Sequence, residues 1–352
     1  MFPWLKDDWL KLRKMYTAGT GPQALLIAGP DGIGKKELAR ELAQLLLCQN
    51  INLNGYCGSC QSCLLAESGN HPDMLVVQSA GKKIPIADAR MIKETVALSP
   101  RLGFGRAIII EDADMMTVEA SNAILKILEE PPKGNVFILT SDNPDAMLPT
   151  VAGRCVRLTV KSPSYADAWG WMSSELGKQS SEMHEGIYSM CGRSPIAAVG
   201  YVKNGMHPLV CTLAREILFF IDDRRRTSFV QDAAKIIASK LKELRAEKLE
   251  AQAEASDSKK PAKQSSRVSI EDVHDYLYCI IADAMRYLNT GIAEHNSVLR
   301  ADKAAKQLAK VGAKRLDAAI EGLKAMRLRE RAMPSASFLT ELAVWLNALA
   351  GA

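Results

Sequence analysis

The sequence predicts an α/β protein in which a parallel sheet lies between helices, followed by an all-helical remainder. Up to about residue 160, short apolar runs alternate with segments of helical apolar spacing. A glycine-rich loop joins the first of these runs to the first long helix, and the strand signal stops after about residue 161. Alternating strands and helices indicate a sheet covered by helices on both faces.

Each expected strand is a short apolar run, and each expected helix has apolar residues three or four positions apart. Strands are expected at 24–28, 74–77, 106–110, 136–140 and 155–160, and helices at 35–47, 86–98 and 117–130. The last of these helices should stop at Pro131-Pro132, because proline cannot continue a helical hydrogen-bond ladder.

The second half of the chain is expected to be helical. A small helical unit is predicted within 169–199 and longer amphipathic helices from 209 onward. The segment 249–267 is rich in Ala, Ser, Lys and Glu, which predicts a flexible segment, either a solvated insertion or a frayed helix end. These shifts divide the chain into three predicted domains, 1–160, 161–208 and 209–352.

Composition excludes several classes of protein. With 47% hydrophobic and 24% charged residues over 352 positions, the chain is an ordinary globular protein. No run of eighteen apolar residues occurs, so no membrane span or membrane partner is expected. A formal charge of +5 permits a polyanionic partner without requiring one. No signal peptide precedes the start Met1-Phe2-Pro3-Trp4, so we expect a cytoplasmic protein.

Residues 29–36, Gly-Pro-Asp-Gly-Ile-Gly-Lys-Lys, form a phosphate-binding loop of the pattern GxxxxGK. Gly29, Gly34 and Lys35 are the candidate nucleotide-binding residues, since backbone N–H groups of such a loop hold phosphates and the lysine reaches their oxygens. The next position normally carries the hydroxyl that ligates Mg²⁺, but here it is Lys36. The sequence therefore predicts a degenerate nucleotide site, at which ATP binding is doubtful.

Two acids, Glu111 and Asp112, follow the apolar strand at 106–110. P-loop ATPases place a Mg²⁺-binding aspartate and a water-orienting glutamate at the end of such a strand. Here the order is reversed, and the shorter Asp112 would stand where the longer glutamate is needed. The alternative interpretation is a strand that simply ends in solvated acids.

Four cysteines, Cys48, Cys57, Cys60 and Cys63, lie within sixteen residues in a Cys-x8-Cys-x2-Cys-x2-Cys pattern. Four thiolates supply the tetrahedral set that structural Zn²⁺ prefers, and two-residue spacers allow a tight turn to bring the sulfurs to one ion. Buried or disulfide-bonded cysteine is the alternative. Disulfides fit a reducing cytosol poorly, so we predict a zinc knuckle at 48–63 with no catalytic role for the metal.

Several motifs together resemble one family, the bacterial clamp-loader subunits of DNA polymerase III. They comprise the cysteine cluster after a P-loop helix, His71-Pro72-Asp73, residues 84–90 (IPIADAR), residues 119–132 (EASNAILKILEEPP) and Gly153-Arg154-Cys155. The segment at 119–132 is highly specific. Residues 1–200 carry the resemblance, while 209–352 agrees only in length and helical character. Within the family, the degenerate loop and the early Pro3-Trp4-Leu5 resemble the δ′ subunits.

The resemblance implies an AAA+ module with a small helical lid at 161–208 and an all-helical collar at 209–352. It also implies the partners: γ/τ and δ subunits in a hetero-pentamer, and through that complex the sliding clamp and primer-template DNA. In this family a Ser-Arg-Cys arginine acts in trans on a neighbour's ATP. Arg154 is the matching position, with Gly153 in place of the serine. A salt-bridged arginine at a strand start is the alternative.

Two functional hypotheses of different classes follow. The first is a non-hydrolysing stator that belongs to the DNA-directed DNA polymerase III holoenzyme, a nucleotidyltransferase complex, without polymerase or ATPase turnover of its own. The second is an active γ/τ-like ATPase motor that tolerates Lys36. Motor subunits also carry a lid arginine that senses the γ-phosphate, and Ile196 stands at the corresponding place. A zinc-dependent nucleic-acid reader is disfavoured, because no basic helix flanks the knuckle.

Overall fold

The computed structural model describes residues 1–52, 55–79, 83–102, 105–182, 185–204, 270–291, 309–330 and 344–345. The chain divides into two compact units, Met1–Trp171 and Met172–Ala352. The domain limits expected at 160 and 208 stay predictions, and the predicted insertion at 249–267 lies outside the described residues.

The first unit confirms the predicted α/β architecture. Its strands are β1 (Ala24–Ala28), β2 (Met74–Val77), β3 (Arg106–Ile110), β4 (Asn135–Ser141) and β5 (Val156–Thr159). Its helices are α1 (Lys6–Thr17), α2 (Lys35–Leu47), α3 (Gln61–Glu67), α4 (Ile86–Ala97), α5 (Val118–Glu129), α6 (Pro149–Ala152) and α7 (Tyr165–Leu176), which crosses the division between the units. Helices α1, α3 and α6 were not among the expected elements.

The five strands form one parallel sheet in the order β2-β3-β4-β1-β5. Register places Ala28 of β1 opposite Ser141 of β4, and Ile110 of β3 opposite Leu139 of β4. The carboxyl ends of the strands therefore share one edge. In open sheets of this kind, ligands bind outside that edge where the strand order reverses, and β1 lies at such a point between β4 and β5.

Alternate strand residues bury two separate apolar layers, as a sheet covered on both faces requires. Leu26, Ile108 and Phe137 pack in one cluster with residues of α4 and α5. Ile27 and Ile109 pack in the other with residues of α1 and α2. At about 25 cal/mol per Å² of apolar surface, burial on both faces is the main stabilisation of this unit.

Local signals set the ends of the helices that carry the site. Thr117 caps α5, its side-chain oxygen accepting a hydrogen bond from the Ala120 N–H at 3.2 Å. That helix ends at Glu129, just before the two prolines. Helix α2 begins at Lys35, directly after Gly34, whose φ of +93° suits glycine. The loop glycine therefore sets where the P-loop helix starts.

Within the second unit the described elements are helical, as predicted. They are α8 (Glu185–Met190), α9 (Pro195–Lys203), α10 (Ile270–Thr290) and α11 (Ala313–Glu330). Leu277 and Ile281 of α10 are buried, as are Leu316 and Leu323 of α11, and the two helices pack together. Among the residues described, no helix combines the length and apolar character needed to cross a bilayer.

Candidate nucleotide and metal sites

The carboxyl edge of the sheet gathers the predicted nucleotide-site residues. The loop at 29–34 follows β1, Glu111 and Asp112 follow β3, and Asp142 follows β4. Because these three strands are neighbours in the sheet, residues far apart in sequence meet at one place. The structure therefore brings the P-loop and the acid pair together.

The side chain of Lys35 is buried, and its ammonium group is bound by oxygens of the same chain. Its Nζ donates to the carbonyl oxygen of Pro30 at 2.6 Å and lies 2.6 Å from Oδ1 of Asp142. Burial raises the pKa of the Asp142 carboxyl, and the Lys35 ammonium opposes that effect. The lysine that would reach phosphate oxygens is thus held by two oxygens of its own fold.

Lys36 lies against both acids at the end of β3. Its Nζ is 2.8 Å from Oδ1 and 2.9 Å from Oδ2 of Asp112, and 3.7 Å from Oε2 of Glu111. Burial lowers the pKa of the Lys36 ammonium, but the hydrogen bond and charge of Asp112, with Glu111 and Asp142, outweigh burial and raise it. A cationic side chain therefore neutralises the acids that bind Mg²⁺ in active P-loop enzymes.

Glu111 is buried and bound by a second cation. Only 1% of this residue is exposed, and its Oε1 accepts from Nη2 of Arg40 at 2.8 Å. The alternative of a strand ending in solvated acids is wrong for Glu111. Asp112 is held as well, since Oδ2 accepts from the Ser79 hydroxyl at 2.8 Å and its N–H donates to Oγ1 of Thr140 at 3.2 Å.

Aromatic side chains from the start of the first unit and from α7 pack beside the loop. Phe2 stacks on Trp4 with ring centroids 4.9 Å apart, and both meet Trp171 edge-on. The indole N–H of Trp4 donates to the Ile33 carbonyl at 2.8 Å. A Cβ placed on Gly34 would lie 2.4 Å from the Phe2 ring. These aromatic contacts support the loop, and no local sequence pattern predicted them.

Ile196, expected where motor subunits carry a sensing arginine, lies in the first turn of α9 and is half-buried. Ser194 caps that helix, accepting from the Ala197 N–H at 3.1 Å. The nearby Arg193 has a left-handed φ of +59° and is exposed. An aliphatic side chain at this place offers no positive charge to a phosphate.

Arg154 lies between α6 and β5 with its side chain about one-third exposed. Nη1 donates to the Thr150 carbonyl at 2.7 Å, and Nη2 forms an ion pair with Oε1 of Glu129 at the end of α5. Nε is buried and has no partner among the described residues. The arginine is oriented by its own subunit, and its predicted action on a neighbour stays a prediction.

The four predicted metal ligands converge. The Sγ atoms of Cys48, Cys57, Cys60 and Cys63 all lie within 4.8 Å of one another, and Sγ of Cys57 is 3.9 Å from Sγ of Cys63. Four sulfurs at about 2.3 Å from one tetrahedral zinc would be about 3.8 Å apart. These cysteines are free thiols, so the alternative of disulfide bonding finds no support.

Backbone N–H groups support the sulfurs, as they do around a metal-bound thiolate. The N–H of Cys57 donates to Sγ of Cys48, and that of Cys60 to Sγ of Cys57, both at 3.3 Å. Hydrogen bonds from the backbone of Ser59 and Cys60 lower the pKa of the Cys57 thiol to about 6. Burial raises the pKa of Cys63 to about 12. The donor set fits zinc, and bound zinc would supply four bonds that hold this turn together.

Sequence reasoning missed several residues of the nucleotide site. Asp142 directly follows β4, and that position could have identified it, since loops after parallel strands line the ligand edge. Arg40 lies four residues after Lys36 in α2 and thus on the same helix face. No sequence pattern pointed to Ser79 or Glu129. Ser79 meets Asp112 because β2 and β3 are neighbours in the sheet, and Glu129 meets Arg154 because α5 ends beside it.

The fold and the site define a P-loop α/β module in which a lysine occupies the Mg²⁺-ligand position. Residues 5–164 match the protein family described as DNA polymerase III, delta subunit. The chain is 35% identical over 202 residues to the DNA polymerase III subunit delta' of Pseudomonas aeruginosa, and 37% identical over 177 residues to that of Escherichia coli. Over these residues the chain is similar to delta' clamp-loader subunits.

These matches cover part of each protein. They span 56% of this chain and 60% of the P. aeruginosa relative, and 50% of this chain and 53% of the E. coli relative. A solved structure described as a DNA polymerase III gamma subunit-related protein from Thermotoga maritima is 15% identical, with a TM-score of 0.45, and covers 96% of this chain and 99% of that one.

Proposed function

We propose that the chain is the δ′ subunit of a bacterial DNA polymerase III clamp loader and acts as a stator that does not hydrolyse ATP. In this proposal it joins γ/τ and δ subunits in a cytoplasmic hetero-pentamer. That complex loads the sliding clamp onto primer-template DNA. The similarity to delta' subunits and the degenerate nucleotide site support this function, which includes a place in the polymerase III holoenzyme without polymerase activity in this subunit.

One observation carries the stator proposal, namely the ammonium of Lys36 bound to Asp112 and close to Glu111. ATP hydrolysis in P-loop enzymes requires Mg²⁺ held by a loop hydroxyl and a strand-end acid, and a second residue to position water. Here the hydroxyl is absent, and both acids are paired with cations of α2. Neither of these two acids is left free to hold the metal or orient the water.

The second part of the proposal gives Arg154 its role. A guanidinium carries a permanent charge and five forked donors, which suits it to stabilise developing charge on a transferring phosphoryl group. Arg154 is partly exposed, and Glu129 and Thr150 already orient it from within the chain. It can therefore be presented to a nucleotide bound by an adjacent subunit. Zinc on the four cysteines is structural in this account.

The test is the Arg154→Ala variant in a loader reconstituted with γ/τ and δ. We expect normal assembly and zinc content, with lower DNA-stimulated ATP hydrolysis. Arginine fingers contribute about 10³–10⁵ in rate at a site that depends on them, but only one of several motor sites would face this subunit, so the total loss is smaller. Arg157→Ala, which removes an exposed arginine of β5 three residues further on, is the matched control.

A wild-type hydrolysis rate in the assembled Arg154→Ala loader would refute the trans role. Failed assembly, or a lower melting temperature with normal turnover per complex, would instead assign Arg154 a structural role through Glu129. Steady ATP hydrolysis by the isolated chain would favour the alternative function, an active γ/τ-like motor.

A further inference from the structure

The ammonium of Lys36 lies beside the carboxylates of Glu111 and Asp112, which directly follow β3. It lies within 2.9 Å of both oxygens of Asp112, and Oε2 of Glu111 is 3.7 Å away. Glu111 is almost fully buried, and its other oxygen accepts from Arg40. Three of the four carboxylate oxygens of Glu111 and Asp112 therefore face Lys36, and the fourth faces the guanidinium of Arg40.

A threonine or serine at this position would have a different effect on the same acids. Its hydroxyl would ligate Mg²⁺, which in turn would bridge to the acids and to nucleotide phosphates. The ammonium supplies positive charge but no lone pair, so it cannot ligate a metal. It also repels any divalent ion brought to the same carboxylates.

The rest of the loop keeps the geometry of a phosphate site. Gly32 and Gly34 have φ values of +66° and +93°, and α2 starts at Lys35 with its N-terminal N–H groups directed to the loop. Lys35 is in place and is held by Pro30 and Asp142. Within the described residues of the loop, Lys36 is the group at the metal-ligand position that lies close to both acids.

We propose that Lys36 is a built-in substitute for Mg²⁺, and that it hides a latent site for a magnesium-bound nucleoside triphosphate. Together with Arg40, the side chain neutralises Glu111 and Asp112, so the site keeps one electrostatic state with or without nucleotide. This proposal deepens the stator function proposed above. It concerns ligand binding by the isolated chain, whereas the stator function is tested in the assembled loader, so the two can fail separately.

The experiment compares Lys36→Thr with Lys36→Met in the full chain. Threonine supplies the missing ligand, while methionine removes the charge, keeps the length and supplies no oxygen. Binding is measured by fluorescence titration with N-methylanthraniloyl-ATP, in Mg²⁺ and in EDTA. In Mg²⁺ we expect Lys36→Thr to bind the labelled ATP at least about tenfold tighter than wild type, because groups that support a metal ion change its affinity by about 10–100-fold. In EDTA the variant should lose that gain. Lys36→Met should show no magnesium-dependent gain.

The proposal is overturned if Lys36→Thr gains nothing, or if Lys36→Met gains as much and EDTA leaves the gain unchanged. The second result would mean that the lysine only obstructs the loop. Zinc content and circular dichroism show whether the variants fold, and Lys36→Ser replaces the threonine variant if that one does not. Wild-type protein gives a further check, because nucleotide binding that Mg²⁺ strengthens in the unaltered chain would also contradict the proposal.

Discussion

Arg154 forms an ion pair with Glu129 that joins the start of β5 to the end of α5. The same guanidinium donates to the Thr150 carbonyl at 2.7 Å, so two bonds from one subunit fix its direction. Both side chains remain partly exposed, at 32% and 46%. The arginine proposed to act on a neighbour is thus pre-oriented before any neighbour is present.

Glu129→Ala should therefore weaken the trans action of Arg154 while leaving stability almost unchanged. Exposed ion pairs contribute about 0–1 kcal/mol to folding, but a mobile guanidinium loses catalytic orientation. We expect a drop in loader ATPase smaller than that of Arg154→Ala, with normal assembly. Glu130→Ala, the adjacent exposed acid, is the control, and equal losses in both variants would show that Glu129 has no special role.

Removing one knuckle sulfur should release the metal. Cys60→Ser is expected to reduce zinc from about one ion per chain to a small fraction and to lower the melting temperature, because metal binding supplies the ordering free energy of such turns. Elemental analysis and thermal melts measure both effects. Cys155→Ser, a half-buried cysteine outside the cluster, should keep its zinc. Wild-type protein purified without chelator but lacking zinc would rule the site out.

The isolated chain should hydrolyse ATP no faster than background, since both acids are neutralised by Lys36 and Arg40. Lys35→Ala should leave that background unchanged. A coupled phosphate-release assay measures the rate. Turnover by the wild type that disappears in Lys35→Ala would contradict the expectation and demonstrate an active site in this subunit.

His71 should make stability depend on pH. Its Nδ1 accepts from the Asp73 N–H and its Nε2 contacts the Ser62 hydroxyl, both at 3.0 Å, and burial lowers its pKa. As pH falls, the imidazole of His71 is therefore protonated at a higher pH in the unfolded chain, near its ordinary pKa of about 6.5, than in the folded chain. The free energy of unfolding should therefore be highest above about pH 6.5 and should decrease as pH falls toward the lower pKa that His71 has in the folded state. Melting temperatures from pH 7.5 to 5.5 should decline less in His71→Gln, and identical declines would disprove the contribution.

Gly34→Ala should destabilise the chain more than Gly19→Ala. Both glycines have left-handed φ values, +93° and +69°, but only the new methyl at Gly34 would collide with Phe2. Gly19→Ala carries a backbone cost of about 1–2 kcal/mol, and overpacking at Gly34 adds about 1–3 kcal/mol. Chemical denaturation measures the difference, and equal losses would mean that Phe2 moves aside freely.

Most of the first unit could be predicted from local patterns. The strand Ala24–Ala28 and the helix Lys35–Leu47 have the limits expected from apolar runs and loop glycines, because those signals act within a few residues. Helix α1 was not foreseen, although its Trp9 and Leu12 are buried. The place of Arg154 was predicted through the family resemblance, but its ion pair with Glu129 was not.

The sequence by itself determined the P-loop with its missing hydroxyl, the acid pair after β3 and the four-cysteine cluster, because each is a short motif whose chemistry depends on neighbouring positions. Only the tertiary structure decided which groups Lys36 binds. Lys36 and Asp112 are 76 residues apart, and they meet because β1 and β3 flank β4 in the sheet. Strand order is set by the packing of two apolar faces over the whole domain. A local sequence pattern therefore cannot predict that the ammonium of Lys36 pairs with the acids that follow β3.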